Sequence, residues 1–174
     1  MGYNINIGEA VFEDMSDGTS ADLRVDVEHK ALDEAPRFPN DDMTGNGNSR
    51  SPGYSVWHEF CLDTGIDELF YGGGWDRDAR QYKSCTEHFH RETPLLADHP
   101  GFKAINEHDV AFVKTALDTY RAKHPLAEPG FTTWDARDDD SFPIANANLA
   151  RLIWLHFWMD WAVQNCRHPI VANS

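Results

Sequence analysis

The segment from about Asn148 to Cys166 limits what this chain can fold into more than any other. Between Leu149 and Val163 it carries ten large apolar residues, three of them tryptophan, spread round nearly the whole circumference of a helix. A helix of that kind has to be buried on most sides or shared with a second copy of the chain, so a homo-oligomer is expected. Its one sustained polar line is His156, Asp160 and Gln164, spaced i, i+4 and i+8 on one face. Two readings of that line stand open. It is either the solvent stripe of a core helix or the wall of an internal pocket in which His156 and Asp160 orient a polar ligand.

A chain of 174 residues with 41% hydrophobic and 12% aromatic content has material for one packed core, and a single domain over 1–174 is expected. No apolar run approaches the ~20 residues that cross a bilayer, so no membrane partner is expected. The start Met1-Gly2-Tyr3-Asn4-Ile5 has neither the basic nor the apolar region of a secretory signal, which points to the cytoplasm. Cys61, Cys85 and Cys166 are odd in number and irregular in spacing, as free thiols in a reducing compartment would be. A net charge of -14, with the basic residues scattered singly, disfavours direct nucleic-acid binding. The same charge would suit an acidic surface that occupies a basic groove on another protein.

Period-two alternation over Tyr3, Ile5 and Ile7 and over Leu23, Val25 and Val27 predicts two strands, joined through a turn at Asp17-Gly18. Val56, Trp57, Phe60 and Cys61 predict a short helix over Ser55–Thr64, with Ser55 as N-cap and Gly65 as its stop. Asn106 reads as the N-cap of a second helix with Asp109 in its first turn. Val110, Val113, Leu117 and Tyr120 form its apolar stripe up to Pro125. The fold class is α+β: an N-terminal β-hairpin or small antiparallel sheet packed against three main helices, the C-terminal one long and aromatic. Gly72-Gly73-Gly74 marks a break, 76–93 a mobile polar insertion or a marginal helix, and Pro125–Phe142 a loop whose Asp138-Asp139-Asp140 run reads as a solvated turn.

Nothing in the chain matches a Walker A loop, a nucleophile elbow, a His-Glu-x-x-His helix or a dinucleotide fingerprint, so no catalytic residue is assigned and an enzyme is disfavoured. Cys85, His88 and His90 carry zinc-ligand chemistry but lack a second group of ligands at short spacing, so neither metal nor cofactor is expected. The segment with the most binding chemistry is the irregular loop Pro36–Tyr54. Gly45 and Gly47 permit turns that aim backbone N–H groups inward, as an anion nest requires. Thr44, Asn46, Asn48 and Ser49 add donors and acceptors, Arg50 can clamp a phosphate or carboxylate, and Tyr54 or Trp57 can stack on a ring. Together with His156 and Asp160 these are the parts of a site for a small nucleotide-like ligand. The competing reading is a self-satisfied Ω-loop, whose polar side chains bond their own backbone.

The loop Asp41–Tyr54, the stretch Asn148–Trp158, the opening Gly2–Ala10 and the turn His99-Pro100-Gly101 resemble a family of small acidic proteins of unknown function encoded by bacteriophages and prophages. The resemblance spans most of the chain, with 76–93 matching least. It implies a phage context and hence the host bacterial cytoplasm, and it supplies no catalytic residues. The expected function is that of an anti-defence accessory protein that sequesters a nucleotide-derived ligand. One alternative is an acidic protein-binding inhibitor of a host nuclease or CRISPR complex, with a host defence protein as partner. Another is a hydrolase of a phosphorylated metabolite. On the first reading, Arg50→Ala should abolish ligand-dependent stabilisation and leave the fold intact.

Overall fold

A computed structural model describes residues 2–14, 23–37, 45–71, 75–76, 81–82, 94–96, 101–129 and 143–173. Within them, β1 (Ile5–Asp14), β2 (Leu23–Val27), β3 (Ser49–Arg50), β6 (Gly101–Ala104) and β7 (Pro169–Asn173) form one antiparallel sheet in the order β2-β1-β7-β6, with β3 added beside β1. A separate two-stranded pair joins β4 (Trp75–Asp76) to β5 (Gln81–Tyr82). The helices are α1 (Tyr54–Thr64), the short α2 (Asp67–Tyr71), α3 (Glu107–Lys123) and α4 (Ile144–Asn165). The α+β class and the long aromatic C-terminal helix are as the sequence leads one to expect.

Local chemistry accounts for the helix ends. Asn106 Oδ1 accepts from the N–H groups of His108 and Asp109 at 2.9 and 3.2 Å, while Asp109 Oδ2 accepts from Asn106 N at 3.0 Å. This reciprocal capping starts α3 where the sequence places it. Gly65 ends α1 with φ 76°, a left-handed conformation that glycine adopts without a Cβ clash. The start of α1 differs from expectation, because the N-cap is Gly53 and no side chain caps it. In α4 the first turn begins at Ile144, immediately after Pro143, rather than at Asn148. Proline has no N–H to lose there and its φ of -64° already suits helix entry.

Partners across the sheet place Ile5, Ile7 and Val171 on the face that meets the helices. There they join Trp57, Phe70, Val113, Leu152, Trp154 and Trp158 in one core. Ala10, Val27, Ile170 and Ala172 make a smaller cluster on the opposite face. Within one chain, α4 is buried along most of its length, from Ala147 to Ala162. No helix among the described residues is long and apolar enough to cross a membrane.

The turn between α4 and β7 is anchored on β1. Glu9 accepts from Arg167 N at 2.6 Å, from His168 N at 3.1 and 3.2 Å, and from the His168 ring at 3.2 Å. Burial would raise the Glu9 carboxyl, but these donors outweigh it and hold it below its ordinary 4.5. A carboxylate whose folded pKa is depressed contributes stability above its unfolded pKa, and that stability is lost as pH falls through the folded value. Glu9→Gln should therefore be less stable than the parent at neutral pH, and urea titrations should show the gap closing below about pH 4.5.

Candidate functional site

The loop that carries Arg50 occupies a gap in the sheet. The outer edge of β1 is shared between two partners, β2 pairing with residues 10–14 and β3 with residues 5–6. Backbone bonds partly bridge the interval, from Ile7 N to Asn48 O and from Glu28 N to Glu9 O, both 3.0 Å. The Asn48 side chain fills what remains. Its Nδ2 donates to Ile7 O at 3.0 Å and to Glu28 O at 2.8 Å, and its Oδ1 accepts from Lys30 N at 2.9 Å. Gly8 leaves room for it, since a Cβ there would stand 3.2 Å from both Asn48 Nδ2 and Val27 Cγ1.

Asn48 is thus a structural clamp with both amide hydrogens in use and 1% exposure. Its neighbours behave alike. Asn46 Nδ2 donates to Leu32 O at 2.9 Å, and Gly47 bridges to Ala31. Ser49 Oγ donates to Asn6 Oδ1, which as an amide oxygen can only accept. The hydroxyl proton is therefore committed, and the His29 ring, 3.3 Å away, is not set to withdraw it. At Asn46, Asn48 and Ser49 the polar side chains are engaged, but with β1 and the 28–32 stretch rather than with the loop's own backbone. Thr44 lies outside the described residues, as do Cys85, His88, His90 and the Asp138–Asp140 run.

Arg50 is different. It pairs with Ile5 across the β1–β3 ladder, so its side chain shares the helix-facing side of the sheet. It is 2% exposed, with its guanidinium carbon 5.1 Å from the centroid of the Trp154 ring. Trp154 is held in turn by a 2.9 Å bond from Nε1 to Gly47 O. Loop, cation and indole therefore form one unit, with the ring electrons facing the charge. This burial overturns the expectation that Arg50→Ala would spare the fold, because the truncation would open a hole beneath the indole.

The aromatic and helical candidates separate. Tyr54 is 36% exposed at the start of α1, edge-on to Tyr3 at 4.7 Å, and has a ring accessible from solvent. Trp57 is fully enclosed by the core, 4.9 Å from Phe60 and 5.2 Å from Phe70, so no ligand ring can stack on it without displacing those side chains. On α4, His156 and Asp160 lie about 200° and 240° round the axis from Trp154 at 100° per residue. They are half-buried beside α3 instead. Burial holds the His156 imidazole below its ordinary 6.5, with Asp160 opposing and Lys114, Asp118 and Arg121 of α3 also within electrostatic reach. The Arg50 loop and the His156–Asp160 line face different neighbours, so the structure does not bring them together.

A polar cluster that the sequence reading missed joins three helices. Asp63 Oδ2 on α1 accepts from Tyr120 Oη on α3 at 2.7 Å and from Asn148 Nδ2 on α4 at 2.8 Å. Arg151 Nη1 donates to Asn148 Oδ1 at 3.0 Å. Burial works against the Asp63 charge, but these two donors, with Lys123 and His124 nearby, hold its carboxyl below the usual value. The Tyr120 phenol is pushed up by burial and by the Asp63 carboxylate. The available signal was Asn148 and Arg151 at i, i+3 in an otherwise apolar stretch, a second polar pair on α4 beside the line at His156. Through these bonds the cluster ties α1, α3 and α4 together.

No family model, curated protein or solved structure matches the chain.

Proposed function

We propose that the chain is a phage accessory protein of the host cytoplasm that binds a small nucleotide-derived ligand and withholds it from a host defence pathway. Arg50 would be its contact to the anionic group. The observation that carries this reading is the Arg50–Trp154 unit: a guanidinium already desolvated and fixed on a ring, in a chain of net charge -14. A planar fork whose orientation is set before binding loses little freedom when it meets phosphate or carboxylate. Tyr54 supplies a solvent-facing ring for a base. Access requires the Gly45–Gly47 segment to lift from Trp154 and Leu32 while the Asn48 clamp holds, breaking the bonds at Gly47 O, Asn46 O and Asn46 Nδ2. Slow release through such a lid suits sequestration, which needs affinity and no chemistry.

Thermal unfolding in the presence of ADP-ribose and of cyclic dinucleotides tests this. At a ligand concentration of a hundred times Kd the stabilisation is about 2.7 kcal/mol, which for a chain of this size raises Tm by about 5–11 °C. The shift should vanish in Arg50→Met, which keeps the stem against Trp154 and removes the charge, and the ligand should be recovered intact after heating. Absence of a shift with every nucleotide tried would overturn the reading.

Charge favours a second reading, a protein-binding inhibitor. From Ser51 to Tyr71 the chain has Glu59, Asp63, Asp67 and Glu68 and no lysine or arginine. Val56 is 41% exposed on the same helix as Glu59. Crowding is evident at Asp67, whose carboxyl is raised by burial and further by Glu68. On this reading a basic host protein co-purifies with the chain and is released by salt.

A further inference from the structure

Two tryptophans, Trp57 and Trp158, are completely buried, and neither indole Nε1–H has a hydrogen-bond acceptor among the described residues. Trp154, equally buried, does have one in Gly47 O. A buried donor without an acceptor bears its whole desolvation penalty, and native interiors seldom tolerate it unless something outside the polypeptide accepts the bond.

The two orphan donors sit differently. The Trp57 ring is walled in by Phe60 and Phe70. Trp158 lies one turn beyond Trp154 on α4, only about 40° further round the axis. It therefore continues the flank on which the Arg50 guanidinium rests. Among the described residues its aromatic contacts are Phe157 at 5.3 Å and Trp161 at 5.5 Å, both from its own helix.

We propose that the Trp158 indole N–H is the second contact of the ligand whose anionic group meets Arg50. This rests on the ligand-binding reading above and specifies the ligand further. The two contacts are offset by one helical turn, about 6 Å along the axis. The ligand must therefore carry, beyond its phosphate or carboxylate, a hydrogen-bond acceptor at that remove, such as a ribose hydroxyl, a ring nitrogen or the oxygen of a second phosphate. A nucleoside diphosphate sugar has all three. Inorganic phosphate reaches only the first contact.

The test titrates ADP-ribose and, separately, inorganic phosphate into the full chain while the indole N–H resonances are followed by NMR, with Trp158→Phe in parallel. The phenylalanine keeps an aromatic ring and most of the volume in the core while removing the donor. ADP-ribose should move the Trp158 indole resonance and should bind Trp158→Phe about ten-fold more weakly, the worth of one hydrogen bond. Phosphate should leave that resonance in place. If Trp158→Phe fails to fold, the parent's resonance still decides. A stationary Trp158 resonance while ADP-ribose stabilises the parent overturns the second contact and leaves Arg50 as the anion contact. Failure of ADP-ribose and cyclic dinucleotides alike to bind the parent overturns both.

Discussion

Trp154→Ala is expected to lower the stability of the protein by about 3–5 kcal/mol, the usual cost of truncating a fully buried large aromatic side chain, which is a large fraction of the roughly 5–15 kcal/mol that holds an ordinary fold together. Three consequences add at this position. The indole is 0% exposed in the centre of the core, so its removal leaves a cavity bounded by sheet and helices. Gly47 O loses its 2.9 Å donor, and the buried Arg50 guanidinium loses the ring on which it lies. Trp154→Phe separates these effects, since it keeps most of the volume and a ring face while removing the donor, and should cost only about 1–2 kcal/mol. Urea unfolding checks both variants. A Trp154→Ala protein within about 1 kcal/mol of the parent would mean that Trp154 does not fasten the Arg50 loop to the core.

Asn48→Ala should be the second severe substitution, at about 2–5 kcal/mol, although an exposed loop asparagine would cost almost nothing. The change deprives Ile7 O, Glu28 O and Lys30 N of their side-chain partner, and these groups belong to two chain segments, β1 and the stretch just after β2, which the Asn48 side chain ties to its own loop. Asn48→Asp is the sharper variant, because it is nearly isosteric and still accepts from Lys30 N. It cannot donate, however, and sets a buried carboxylate against two carbonyl oxygens. The account predicts that Asp is at least as damaging as Ala, measured by the urea midpoint at neutral pH. An Asn48→Asp protein as stable as the parent would show that the amide donors are not what closes the gap in β1.

These two positions also show what could be read from the chain and what could not. The capping pair Asn106–Asp109 and the stop at Gly65 act within a single turn, so their chemistry is visible in adjacent letters. The apolar excess of α4 likewise identified a buried helix whatever its neighbours. Asn48 depends on residues 18 to 41 positions before it, and the same Asn-Gly-Asn-Ser letters describe a ligand loop and a structural plug equally well. Periodicity placed His156 and Asp160 on one face of α4 but could not say which neighbour that face meets, and the answer is α3. Arg50 was picked out for its chemistry, while its burial follows from the register Ile5↔Arg50, a long-range pairing with no local signature. The Asp63–Tyr120–Asn148 cluster escaped notice because its members come from three helices and converge only on packing.

The central claim is that the Arg50–Trp154 unit is the anion contact of a small-molecule site. Mass spectrometry of what heat releases from the protein, purified out of phage-infected cells, tests it most directly. The account predicts an intact nucleotide-derived anion from the parent and none from a folded Arg50→Met variant. Recovery of the same molecule from both proteins, or of no such molecule from the folded parent, would contradict it.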